Sequence, residues 1–79
     1  MILKDIVQNH TYDFIEVREY ININGSYKDV LVGFCAYING ELKSLDNDTY
    51  YLSDSVLKSL ENKDGSLTIW LETEDEHGD

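Results

Sequence analysis

Few groups in this chain are able to do covalent chemistry. Cys35 is the sole candidate thiol nucleophile. A reactive thiol needs its pKa lowered by a base or a positive neighbourhood. Cys35 instead lies between Phe34 and Ala36, far along the chain from His10 and His77. That setting reads as a buried, inert thiol. Two histidines with no local partner pattern define no metal site. Asp46, Asp48 and Asp54 crowd one segment and invite a calcium reading. An EF-hand loop starting at Asp46 requires glycine at its sixth position and glutamate at its twelfth, where the chain has Tyr51 and Leu57. The motif fails, and turn chemistry explains these aspartates. No phosphate loop or nucleophile–histidine arrangement appears either. The expectation is a protein that is not an enzyme and carries no cofactor or metal.

Binding chemistry has more to work with. Sixteen Asp and Glu stand against six Lys and Arg, a formal net charge of −10 on 79 residues. Five of those carboxylates fall within Glu72–Asp79, a segment without Lys or Arg. Such a charge repels phosphate backbones and anionic membranes and favours basic partners. Six tyrosines add ring area; Tyr50 and Tyr51 lie within the Asp46–Asp54 stretch. Tyrosine beside carboxylate suits a basic protein surface, although tyrosine on a sheet face is equally good strand chemistry.

The elements that must position these groups follow from periodicity. Met1–Gln8 reads as a short helix with Ile2, Leu3, Ile6 and Val7 on one side, ended by Asn9-His10. Tyr12–Ile23 alternates, with Ile15, Val17, Ile21 and Ile23 on one face. Asn24-Gly25 is a strong hairpin signal. A two-residue turn there pairs Ile23 with Ser26, Val17 with Val32 and Ile15 with Phe34. The second strand is apolar on both faces, which argues for a central, covered position. Asn39-Gly40 makes a second turn, for which a three-residue bulged loop places Leu42 opposite Ala36.

Ser53–Asn62 fits two readings. Ser53 can cap a helix that sets Val56, Leu57 and Leu60 at helical spacing. Alternatively Val56–Glu61 is a strand turned by Asn62–Gly65 into Ser66–Leu71, and Asp64-Gly65 favours this hairpin. Leu67, Ile69 and Leu71 then point inward. The expected fold is α+β: a short N-terminal helix with a four- to five-stranded antiparallel meander sheet in residues 1–71, followed by an acidic, disordered tail over 72–79. A chain this short has a marginal core, so a homodimer that buries a further apolar face is an alternative expectation. Met1-Ile-Leu-Lys-Asp has neither a basic start nor a long apolar stretch, and no run approaches membrane-spanning length. The expected compartment is the cytoplasm.

The start Met1-Ile-Leu-Lys-Asp-Ile, then Tyr12-Asp-Phe-Ile-Glu-Val-Arg18, Tyr37-Ile-Asn-Gly-Glu-Leu42, Tyr51-Leu-Ser-Asp54 and Asp64-Gly-Ser-Leu-Thr-Ile-Trp70 resemble small acidic phage and mobile-element proteins of low-GC Gram-positive bacteria. Anti-CRISPR and other anti-defence proteins are among these. The resemblance implies a stoichiometric inhibitor that mimics DNA on a nucleic-acid-binding nuclease of the host bacterial cytoplasm. The charge of this chain then nominates Glu16, Glu19, Asp46, Asp48, Asp54, Glu72, Glu74, Asp75 and Glu76 as phosphate substitutes, with Tyr50 and Tyr51 as aromatic anchors. The alternative is a homodimeric interaction or structural module whose acidity secures solubility.

Overall fold

The computed structural model describes residues 1–72. One short helix, α1 (Leu3–Val7), precedes five strands: β1 (Tyr12–Ile23), β2 (Ser26–Ile38), β3 (Glu41–Ser44), β4 (Val56–Glu61) and β5 (Leu67–Leu71). The α+β class and the hairpin reading of residues 53–62 match expectation; the meander does not. Strand order is β3-β2-β1-β5-β4, and β1 pairs with β5 in parallel. The sheet is therefore mixed.

Burial explains the order. Leu67, Thr68 and Ile69 of β5 are all buried, whereas β4 is exposed after Val56. A strand covered on both faces belongs inside a sheet, and a polar one belongs at its edge. The segment 45–55 carries the chain from β3 at one edge to β4 at the other. It buries Tyr50 in the same core cluster as Ile15, Val17, Cys35, Val56 and Ile69. Leu3 and Val7 of α1 join that core. The N–H groups of Leu3 and Lys4 donate to the carbonyls of Asp54 and Leu52, each at 2.9 Å. The crossing segment thus satisfies the start of a helix too short to stand alone. Asn9, at φ 67°, ends the helix as expected.

The first hairpin turn is as expected, with Asn24 and Gly25 at φ 53° and 86° and Ile23 opposite Ser26. The register further along is not. Arg18 faces Leu31 but Val17 faces Gly33, so Val32 is an extra residue and Ile15 meets Cys35 instead of Phe34. This bulge turns Gly33 and Cys35 to the core and Phe34 to the opposite face. The cause is tertiary: a side chain at position 33 would run into the Asp46 carboxylate and the Tyr50 hydroxyl.

At the second turn, Asn39 and Gly40 take φ 56° and 79°, and Ile38 faces Glu41. The loop has two residues instead of the expected three. Leu42 still packs against the core, opposite Tyr37 and not Ala36. The bulge has already moved Tyr37 to that face. Because β5 pairs β1 only along Ile15–Glu19 and β3 pairs β2 only along Cys35–Ile38, the tip of the β1–β2 hairpin extends beyond its neighbours.

Candidate functional site

The two sheet faces carry different chemistry. On the covered face, the crossing segment 45–55 holds its carboxylates by backbone donors. Asp46 accepts from the Phe34 N–H at 2.9 Å through Oδ2 and from the Asp48 N–H at 3.1 Å through Oδ1. Asp54 accepts from the Tyr51 N–H at 3.0 Å. These are the turn contacts expected of aspartate. Among the described residues no group of three or more His, Cys, Asp or Glu is arranged to hold a metal ion.

This concentration of charge acts on its neighbours. Burial first, then the Asp46 and Asp54 charges, push the Cys35 thiol up to about 12. Cys35 is fully buried, so its thiolate is disfavoured at neutral pH. The Tyr50 phenol is also pushed well up, by burial and then by Asp46 and Asp48. Its hydroxyl donates to Asp48 Oδ2 at 3.4 Å.

The nominated residues do not form one patch. Asp46, Asp48 and Asp54 share the crossing segment, and Tyr51 beside them is 60% exposed. Tyr50 is only 8% exposed and packs inside the chain, leaving Tyr51 as the surface ring of the pair. Glu19 is half-buried and level with Val30 and Leu71. Glu72 is exposed, its N–H donating to the Ser55 carbonyl at 3.0 Å. Glu16 lies on the other face, bonded to Arg18 at 2.6 Å and accepting from the Thr68 hydroxyl at 3.4 Å. Glu74, Asp75 and Glu76 lie outside the described residues.

That other face holds a constellation the sequence reading missed. Across β2, β1, β5 and β4, one row reads Leu31, Arg18, Trp70, Lys58. Arg18 bridges Glu16 and Asp29, through Nη1 at 2.6 Å and Nε at 2.8 Å. Trp70 Nε1 donates to the same Asp29 Oδ1 at 3.1 Å. The Arg18 guanidinium, followed by the indole N–H, holds the Asp29 carboxyl below the usual range. Tyr20 and Trp70 lie nearly parallel, 11° apart, with Lys58 over both. Phe14 stacks on Phe34 at 4.9 Å and remains 43% exposed; Leu31 is 45% exposed. Only the parallel β1–β5 pairing brings Trp70 beside Arg18, and no local pattern announces that pairing.

No helix among the described residues is long and apolar enough to cross a membrane. No family model, curated protein or solved structure matches this chain.

Proposed function

We propose that the protein acts by binding, as a stoichiometric inhibitor that occupies the nucleic-acid-binding surface of a host defence nuclease, with a CRISPR effector as the expected target. The supporting observation is the anchored charge of the crossing segment. Asp46 and Asp54 are held by backbone N–H groups, next to the exposed ring of Tyr51, in a chain of net charge −10. Carboxylates already fixed in place lose little freedom on meeting a partner. They stand in for phosphates opposite the Lys and Arg that hold DNA or guide RNA. Binding of this kind weakens steeply as salt rises.

The test is capture from nuclease-treated bacterial lysate on tagged protein, washed at low and at high salt. The expected result is a basic nucleic-acid-binding protein, lost at high salt and absent when Glu19, Asp48 and Glu72 are together changed to Lys. Equal capture by that variant, with its circular dichroism unchanged, would overturn the mimicry.

A homodimeric interaction module is the second reading, favoured by the open face. Phe14, Leu31 and Leu60 are exposed there. The face is locally neutral, because Glu16 and Asp29 offset Arg18 and Lys58, so two acidic copies meet on it with little repulsion. This reading predicts a two-fold assembly by sedimentation that persists at high salt.

A further inference from the structure

The open face already holds a cation, and the way it does so points to what it binds. Lys58 Nζ lies 4.5 Å from the Trp70 ring centroid and 5.3 Å from that of Tyr20. The two rings are 6.4 Å apart and nearly parallel. Register builds this floor: Lys58 on β4 faces Trp70 on β5, which faces Arg18 on β1, and Tyr20 is the next residue of β1 on the same face. Asp29 on β2 closes one side. Its Oδ1 takes both the Trp70 and the Arg18 bonds, so Oδ2 is the oxygen an incoming donor meets. Four strands thus supply two aromatic rings, a carboxylate and an internal ammonium.

Lysine is the weaker occupant of such a floor. Its ammonium is compact and strongly hydrated, whereas a guanidinium is planar, lies flat on a ring and keeps its edge N–H groups for a carboxylate. Lys58 is exposed, on the edge strand β4. It can swing away at little cost. Arg18, the other cation nearby, is tied to Glu16 and Asp29, which offset its charge.

We propose that the Tyr20–Trp70 floor seats an arginine side chain of a basic protein partner, with Lys58 as the internal occupant that gives way. The occupant follows from the floor itself: it already seats a cation, and once Lys58 leaves, Glu16 and Asp29 outweigh Arg18 by one charge. The inference rests on the reading of a basic partner and adds a second contact, on the face opposite the crossing segment, where one of its arginines anchors. It also predicts a gain larger than charge alone supplies, because removing a positive charge at an exposed, salt-screened position helps basic ligands only slightly. Here removal of Lys58 also vacates the seat.

Trp70 is the only tryptophan, so its emission reports this floor alone. The experiment titrates the full chain with fluorescein-labelled hexaarginine and hexalysine at low salt, reading peptide anisotropy and, with unlabelled peptides, Trp70 emission. Hexaarginine is expected to change Trp70 emission saturably, at a half-point about 3-fold below that of hexalysine. Lys58→Ala lowers the hexaarginine half-point about 3-fold further, and Tyr20→Leu, its fold checked by circular dichroism, raises it. If hexaarginine binds by anisotropy while Trp70 emission stays fixed, the seat is refuted and the basic-partner reading stands. Absence of any binding at low salt would overturn both. Weaker binding by Lys58→Ala would overturn the seat alone.

Discussion

Gly33 lies directly beneath Tyr50, so closely that a methyl group on Gly33 would overlap the phenolic oxygen. The bulge at Val32 turns position 33 toward the core, and the crossing segment then packs on bare backbone. Gly33→Ala should destabilise by about 1–3 kcal/mol, the usual cost of overpacking. Adding Tyr50→Phe, which removes one of the two clashing oxygens and leaves the Asp46 carboxylate, should recover only part of that loss. Urea unfolding of the two variants checks this; a Gly33→Ala protein as stable as the parent would contradict the packing.

Raised pKa values under the crossing segment make stability fall in alkali. The folded state favours the neutral Cys35 thiol and Tyr50 phenol, whose ordinary values are 9.0 and 10.0. Their contribution is complete below those values and declines as pH rises, through about 12 for Cys35. Thermal unfolding from pH 8 upward should show a falling melting temperature, with a shallower slope in Cys35→Ala and in Tyr50→Phe. Parallel slopes in all three proteins would show that neither group is responsible.

Asp46 and Asp48 carry the same charge two residues apart, yet they should differ in mutation. Asp46 takes two backbone N–H bonds, one of them from Phe34 on β2. Asp48 takes only the Tyr50 hydroxyl, at 3.4 Å. Asp46→Ala should cost about 1 kcal/mol, and Asp48→Ala should fall within about 0.5 kcal/mol of the parent. Denaturant midpoints at constant slope distinguish them, and equal losses would mean that Asp46 anchors nothing.

The central place of β5 makes a contrast on neighbouring strands. Ile69 is fully buried, while Leu60 on β4 is 55% exposed. Ile69→Ala should cost about 2–5 kcal/mol and Leu60→Ala about 0.5 kcal/mol or less. The reverse order, by chemical denaturation, would place β4 inside the sheet instead of β5.

Local chemistry made much of this fold legible. Asn24-Gly25 announced its turn, Ile15 and Val17 announced the inner face of β1, and Asp64-Gly65 tipped residues 53–62 toward a hairpin. What local pattern could not carry was anything set by contacts distant in sequence. The bulge at Val32 exists because Tyr50 and Asp46 need Gly33 beneath them, seventeen and thirteen residues away. Once that bulge shifts the register, Cys35 and Tyr37 exchange faces with Phe34 and Ala36, and Leu42 finds a different partner. Parallel pairing of β1 with β5 depends on where the crossing segment delivers the chain. The site was less legible for the same reason: Asp46, Asp48 and Asp54 are neighbours in sequence, but Trp70, Tyr20, Lys58 and Asp29 meet only through that pairing.

Direct displacement of DNA tests the proposed inhibition most sharply. Labelled target DNA is bound to guide-loaded CRISPR effectors of low-GC Gram-positive bacteria, the protein is added, and anisotropy follows release. Mimicry predicts that one of these effectors loses its DNA at a near-equimolar ratio, less so at high salt, and keeps it when the Glu19, Asp48 and Glu72 triple lysine variant is used. DNA that stays bound to every effector, or is released equally by that variant, would contradict it.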